Sequence, residues 1–281
     1  MLKQRVITAL VLLLLLLPAL FYSEPWPFCF LALVFIAAAA WEWAKANGWN
    51  QNVSVWVGVL SCATCGLMWW AGWLEQHMPR LWLVVGSTWV LGGAVVLKAG
   101  VSAWSTHSRY LRLVAGVAAL SLTWLAIGQA KVIGSNFLLS VLALVWTADI
   151  AAYFAGRAWG GRFTRSKLAA SISPGKSWEG VWGGMVGVMV LAWAWRHFDM
   201  VYNVAVPSLY THVGNRSLWL LMVAAVFMAA MSVVGDLIES LVKRSAGIKD
   251  SSALLPGHGG VLDRIDALLP TLPLAMMLYS L

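Results

Sequence analysis

Charge is what this sequence has least of. Only 11% of its 281 residues are Asp, Glu, Lys or Arg, under half the roughly one-quarter share of a soluble domain. Acids are the scarcer sign, 11 against 19 Lys and Arg. Cysteine is scarce too: Cys29, Cys62 and Cys65 all fall in apolar runs. Cys62 and Cys65 have C-x-x-C spacing, but no second pair completes a zinc site, so small residues at a helix contact are the expectation. The chain has no low-complexity tract, no internal repeat and no stretch polar enough for a separate soluble domain. Gly175-Lys176-Ser177 hints at a P-loop, but Ala170 stands where that motif needs glycine, and a basic loop rather than a strand precedes it. That motif is excluded.

What remains is grease: 61% of the residues are hydrophobic, 19 of them tryptophan. An apolar run of about 18 or more residues suggests a membrane-spanning helix. Such runs lie near 6–21, 28–44, 53–74, 81–97, 111–127, 137–155, 178–195, 217–241 and 267–281. The expected fold is all-α, a polytopic integral membrane protein with about nine transmembrane helices. The first run resembles a secretory signal, but "SEPWPF" after it offers no small-x-small cleavage site and a second apolar run follows at once. A retained helix is expected. With the N-terminus cytoplasmic, all of the 19 Lys and Arg except Arg80, Lys131, Arg196 and Arg216 fall on the cytoplasmic side. This is the ordinary bias of membrane-protein loops. It accounts for the net charge of +8, and no nucleic-acid partner is needed to explain it.

The two halves differ in chemistry. Residues 1–130 hold few acids (Glu24, Glu42, Glu75) and short loops, and read as scaffold helices; Glu42, in "WEW", reads as a structural membrane residue. Residues 131–281 read as the catalytic region, with cytoplasmic loops 156–177 and 242–266. A carboxylate at membrane depth is expensive and therefore a functional candidate. Asp149 has Tyr153 one turn on. Asp236 and Glu239 share a helix face, and Lys243 follows Glu239 at i+4, the spacing of an ion pair. The loop after residue 156 carries five cations, Lys167 and Lys176 among them, before its first acid, Glu179. Cations interleaved with Gly and Ser suit a polyanion such as a triphosphate. In "PGHGG", 256–260, glycine allows close backbone approach to a ligand. Asp263 and Asp266 follow at i,i+3 and would face one way on a helix. Carboxylates converging beside Lys and Arg are how proteins hold Mg²⁺ bridged to phosphates. His258 lacks a partner at zinc-ligand spacing and reads as a phosphate or loop contact.

Ser240 to Asp266 resembles the signature of the phosphatidate cytidylyltransferase (CDP-diacylglycerol synthase) family. The match runs through Ser240, Lys243-Arg244, Lys249-Asp250, Pro256, His258-Gly259-Gly260, Asp263-Arg264 and Asp266. "SPGKSWEG" and the Asp149/Tyr153 segment look like further blocks of the same family, with Ile150 departing from its pattern. The resemblance implies an all-helical homodimer in the inner membrane, its active site facing the cytoplasm, that uses CTP, phosphatidic acid and Mg²⁺ and leaves room for a second, monovalent cation. It implies Asp149, Asp236, Lys243, Asp263 and Arg264 as catalytic residues. Lys167, Ser173, Lys176, Lys249, His258, Gly259 and Gly260 would bind the nucleotide, and Asp236, Asp263 and Asp266 the metal.

Three rivals share some of these parts. A CTP-dependent lipid-alcohol kinase would transfer the γ-phosphoryl group and release CDP rather than pyrophosphate. A CDP-alcohol phosphotransferase needs spaced aspartates around D-G-x-x-A-R, which the sequence lacks. An ion-coupled transporter predicts inverted repeats with acids at the midplane, whereas here the acids crowd toward one face beside basic loops.

Overall fold

The computed structural model describes residues 2–281, and among them every regular element is helical. In chain order these are α1 (Leu2–Phe21), α2 (Trp26–Ala46), α3 (Gln51–Trp70), α4 (Pro79–Thr106), α5 (Arg109–Ile133), α6 (Ser135–Trp159), α7 (Trp178–Val201), α8 (Leu209–Arg216), α9 (Leu218–Ser245), α10 (Leu262–Ile265) and α11 (Leu268–Ser280). Each of the nine expected spans is a helix. Seven of them, α1 to α6 and α9, are long and apolar enough to cross a membrane. The protein is thus an all-α polytopic membrane protein. α7 has 24 residues, but its glycines and tryptophans lower its mean hydropathy. α11 has 13 residues, about 20 Å of helix, less than the roughly 30 Å hydrocarbon core.

Helix boundaries follow local chemistry. Asn50, Ser108, Ser177, Ser208 and Ser217 each accept a hydrogen bond from a backbone N–H of the helix they precede, satisfying donors that a helix start leaves free. α4 is two helical pieces that meet at Gly100, whose φ of 80° only glycine adopts readily, so the first piece stops close to the expected end at 97. α9 continues to Ser245, so Lys243 and Arg244 belong to its last turn rather than to the loop expected from 242. Cations there oppose the negative end of the helix dipole.

Small residues set the closest helix approach. Gly180, Gly183, Gly184 and Gly187 of α7 lie against Ala148, Ala151, Ala152 and Ala155 of α6, where an added Cβ would meet α6 atoms. Backbones come together at such stripes because lipid gives apolar side chains no reason to leave it. The free cysteines fit the same description: Cys29 and Cys65 are buried, and no disulfide occurs among the described residues.

Hydrogen bonds and aromatic pairs across the loops reveal which helix ends share a face. Arg5 Nε of α1 donates to Gly257 O. Trp104 of α4 donates to Asn47 beyond α2, and Trp43 of α2 to Arg112 O of α5. Lys176, between α6 and α7, reaches Asp236 of α9. At the other end, buried Lys131 donates to Leu20 O in the last turn of α1 and to Tyr22 O just beyond it, and His212 lies against Tyr279 O. The start of α1 and the ends of α2, α4, α6 and α9 therefore lie together, as alternating spans require.

Candidate active site

The site is built on the last three turns of α9 and on the segments that fold over them. Asp236, Glu239, Ser240 and Lys243 stand at i, i+3, i+4 and i+7 and so form one stripe. Lys176 comes in from the α6–α7 loop, with its Nζ 2.5 Å from Asp236 Oδ2. Ser240 Oγ donates to Asp236 Oδ1 at 3.3 Å. One turn further, Lys243 Nζ stands 2.7 Å from Glu239 Oε2 and 2.6 Å from Asp263 Oδ1. The i+4 pair expected from sequence is formed, and Asp263 joins it from α10.

Asp263 is closely surrounded. Besides Lys243, its carboxylate accepts from the Ser251 amide at 3.0 Å, Ser251 Oγ at 2.9 Å and the Gly260 amide at 2.7 Å. Burial disfavours its charge, but Glu239, Lys243 and the Gly260 amide as hydrogen-bonding partners outweigh that and hold its pKa down to about 2. Gly259 makes the approach possible. It has φ of 84°, and a Cβ there would sit 2.8 Å from Asp263 Oδ2.

Asp266, three residues on, belongs to a different neighbourhood. Its own Oδ1 accepts from the Ala267 amide. Burial raises its carboxyl above the ordinary range, and nearby Asp236 and, more weakly, Asp149 push the same way, while Lys176 opposes them. The backbone stays in the right-handed helical region from Val261 through Asp266 to Ala267, so the two aspartates keep the i,i+3 relation expected of a helix while meeting different partners along it. Among the described residues, no three His, Cys, Asp or Glu side chains converge in metal-ligating geometry.

The remaining expected residues divide by exposure. Asp149 and Tyr153 are exposed on α6, and Tyr153 Oη accepts from Arg157. Lys167 and Lys249 are exposed cations without a hydrogen bond or ion pair to any described residue, and Ser173 is half-buried beside Lys176. Arg264 is spread on the surface, where its Nε and Nη2 donate to His258 O. His258 is half-buried, and its Nδ1 has no partner among the described residues. Of the expected residues, Lys176 with Asp236 and Lys243 with Asp263 are the pairs joined at the end of α9.

Two contributors went unnoticed in the sequence. Ser251 brings two donors to Asp263. Buried Glu179 accepts from the Phe163 and Thr164 amides and the Thr164 hydroxyl, which ties the basic loop to the start of α7. Its place after a run of cations was visible, but its partners are backbone groups that no residue type reveals. Beneath the charged cluster, a cavity of about 500 Å³ opens between α4, α5 and α9, with apolar walls that include Val84, Gly92, Gly116 and Ile238. Glu239 stands at its lining.

Comparison with known proteins supplies the context for this geometry. The model of a family described as "Cytidylyltransferase family" matches residues 3–281. A Haemophilus influenzae protein named phosphatidate cytidylyltransferase is 41% identical over 300 residues, spanning 99% of this chain and 99% of its own. One of the same name from Pseudomonas aeruginosa is 38% identical over 287 residues, covering 100% of this chain and 98% of its own. A Bacillus subtilis protein of that name is 36% identical over 148 residues, 53% of this chain and 49% of its own.

Proposed function

The chain belongs to the cytidylyltransferase family, and from that premise we propose that it transfers the cytidylyl group of CTP to phosphatidic acid, giving CDP-diacylglycerol and pyrophosphate. The observation that carries this reading is the charge pattern at the end of α9. Two lysines from different segments, Lys176 and Lys243, are held there by Asp236, Glu239 and Asp263, with further cations exposed around them.

The reaction joins two anions. A phosphate oxygen of phosphatidate forms a bond to the α-phosphorus of CTP, and the bond from that phosphorus to the bridging oxygen breaks, releasing pyrophosphate. Phosphatidate is ionised at neutral pH, so no residue need remove a proton. What the protein must supply is position and countercharge. Lys167, Lys176, Lys249 and Arg264 would take the triphosphate, and Ser173, His258, Gly259 and Gly260 would line its approach. Lys243, held between two carboxylates, sits where the headgroup of the lipid would meet it. The apolar cavity below is suited to an acyl chain, which keeps the tail out of water while the headgroup reaches the charged end.

The donor set suits Mg²⁺. Asp236 and Asp266 are hard oxygen ligands, and burial together with the charge of Asp236 raises Asp266 although Lys176 is near; a divalent cation would relieve that repulsion. Asp236 and Asp266 would hold it, joined by Asp263 in exchange for its bond to Lys243, with Asp149 oriented toward the same place. Bound there, Mg²⁺ supplies charge neutralisation to phosphate oxygens. We further place the site at the cytoplasmic surface of the inner membrane, in a homodimer.

The test is turnover by the detergent-purified protein with labelled CTP, phosphatidate and Mg²⁺, following label in the lipid phase and pyrophosphate in solution. Label in lipid with equimolar pyrophosphate is expected, and Asp236→Asn and Asp263→Asn should each lower kcat by roughly 100-fold or more. Release of CDP instead would make the protein a lipid kinase. Variants within a few-fold of wild type would remove those aspartates from the site.

A further inference from the structure

Glu42 lies on α2, in the half of the chain that reads as scaffold, and is 0% exposed. Its carboxylate meets four donors, all from residues 251–262. Oε1 accepts from Ser252 Oγ at 2.5 Å and the Val261 amide at 3.0 Å, while Oε2 accepts from Ser251 Oγ at 3.2 Å and the Leu262 amide at 2.7 Å. A buried carboxylate persists only where donors replace its water, and here a loop more than 200 residues away in sequence supplies them all.

The contacts lead straight to the charged cluster. Ser251 Oγ has one proton and stands between Glu42 Oε2, at 3.2 Å, and Asp263 Oδ2, at 2.9 Å. Gly260, whose amide donates to Asp263, is pressed against the same group. A Cβ there would stand 2.5 Å from Glu42 Oε1 and collide with Ser251 Oγ. The second glycine of the His-Gly-Gly run is thus required by Glu42. Apolar packing alone would hold the loop near α2 without fixing its rotation. Two oxygens meeting two hydroxyls and two consecutive amides fix both.

We propose that Glu42 is a positioning residue for the transfer reaction: it locks segment 251–262 onto α2 and thereby, through Ser251 and Gly260, sets the Asp263 carboxylate against Lys243. The proposal rests on the cytidylyl-transfer reading for its catalytic consequence. Its structural half, a carboxylate fixing a loop, stands without that reading.

Both halves can be measured on the full-length protein in detergent. Glu42→Gln replaces one acceptor oxygen with a donor amide, so two of the four contacts are affected: the backbone amide that met that oxygen now faces a clash of hydrogens, and the serine hydroxyl must turn to accept. A displacement of the reacting groups near 1 Å lowers kcat on the order of 10- to 100-fold, with KM for CTP within about threefold of wild type. Hydrogen exchange at the Gly260, Val261 and Leu262 amides should quicken, while α9 and α11 keep their protection. Glu42→Asp retains the charge at shorter reach and should recover part of kcat. Should Glu42→Gln fail to fold, Ser252→Ala removes a single donor, and the same local quickening is expected. The proposal is overturned if Glu42→Gln keeps kcat within about twofold of wild type, or if exchange rises across all helices together. A wild-type protein that transfers no cytidylyl group would remove the reaction, and the exchange data would still decide whether Glu42 holds the loop.

Discussion

At Asp263 the Lys243 ammonium, the Ser251 amide and hydroxyl and the Gly260 amide replace the water that a carboxylate otherwise binds. Burial opposes its charge, but Glu239, Lys243 and the Gly260 amide as hydrogen-bonding partners outweigh that, so the folded state depresses the pKa from 3.8 to about 2. A depressed carboxylate contributes stability that is complete above the unfolded value and is lost as pH falls through the folded one. Between pH 3.8 and about 2 the protein should therefore lose on the order of 2 kcal/mol from this residue alone. Thermal unfolding in detergent across that window checks it. Asp263→Asn should unfold at lower temperature at pH 7 and show a shallower acid decline. An equal decline in both proteins would mean that the surrounding donors do not act on this charge.

At the level of elements, α9 matters because it carries the stripe and because α11 packs against it without a gap. Gly235 marks the contact: a Cβ there would collide with Asp266 O and press on the Pro270 ring. Gly235→Ala should cost on the order of 1–3 kcal/mol through overpacking and push Asp266 away from Asp236, so activity falls with stability. Gly66→Ala is the control. No atom lies within 4 Å of a Cβ there, and replacing glycine in a helix should be neutral or stabilising by up to about 1 kcal/mol. Melting temperatures of both variants, set beside their turnover, separate the two outcomes; equal melting would disprove the close contact. The nine long helices were legible because each announces itself as an apolar run. α8 and α10 were not, since eight and four residues carry too little periodicity to register. The charged residues of the site and the Glu239–Lys243 pair could likewise be named from type and spacing, while the pairings across loops, Lys176 with Asp236 and Lys243 with Asp263, could not. That Asp263 meets Lys243 depends on how α10 is set against α9, and four of the seven contacts of Glu42 and Glu179 are with backbone amides, which sequence leaves unmarked.

For the molecule as a whole, the start of α1 and the ends of α2, α4, α6 and α9 share the face that bears the site, and most of the Lys and Arg residues lie there. The cytoplasmic bias of such cations predicts that this entire face looks inward. The prediction is accessible to thiol labelling once Cys29, Cys62 and Cys65 are replaced by alanine. Lys167→Cys and Lys249→Cys, both at exposed positions on the basic loops, should react with a membrane-impermeant maleimide in inverted vesicles and stay silent in intact cells. Glu24→Cys and Arg80→Cys, exposed at the opposite end, should show the reverse pattern. A charged nucleotide cannot cross the hydrocarbon core, so the orientation bears directly on function. Labelling of Lys249→Cys from outside would set the triphosphate-binding loops on the side without CTP, and the proposed reaction would have no substrate there.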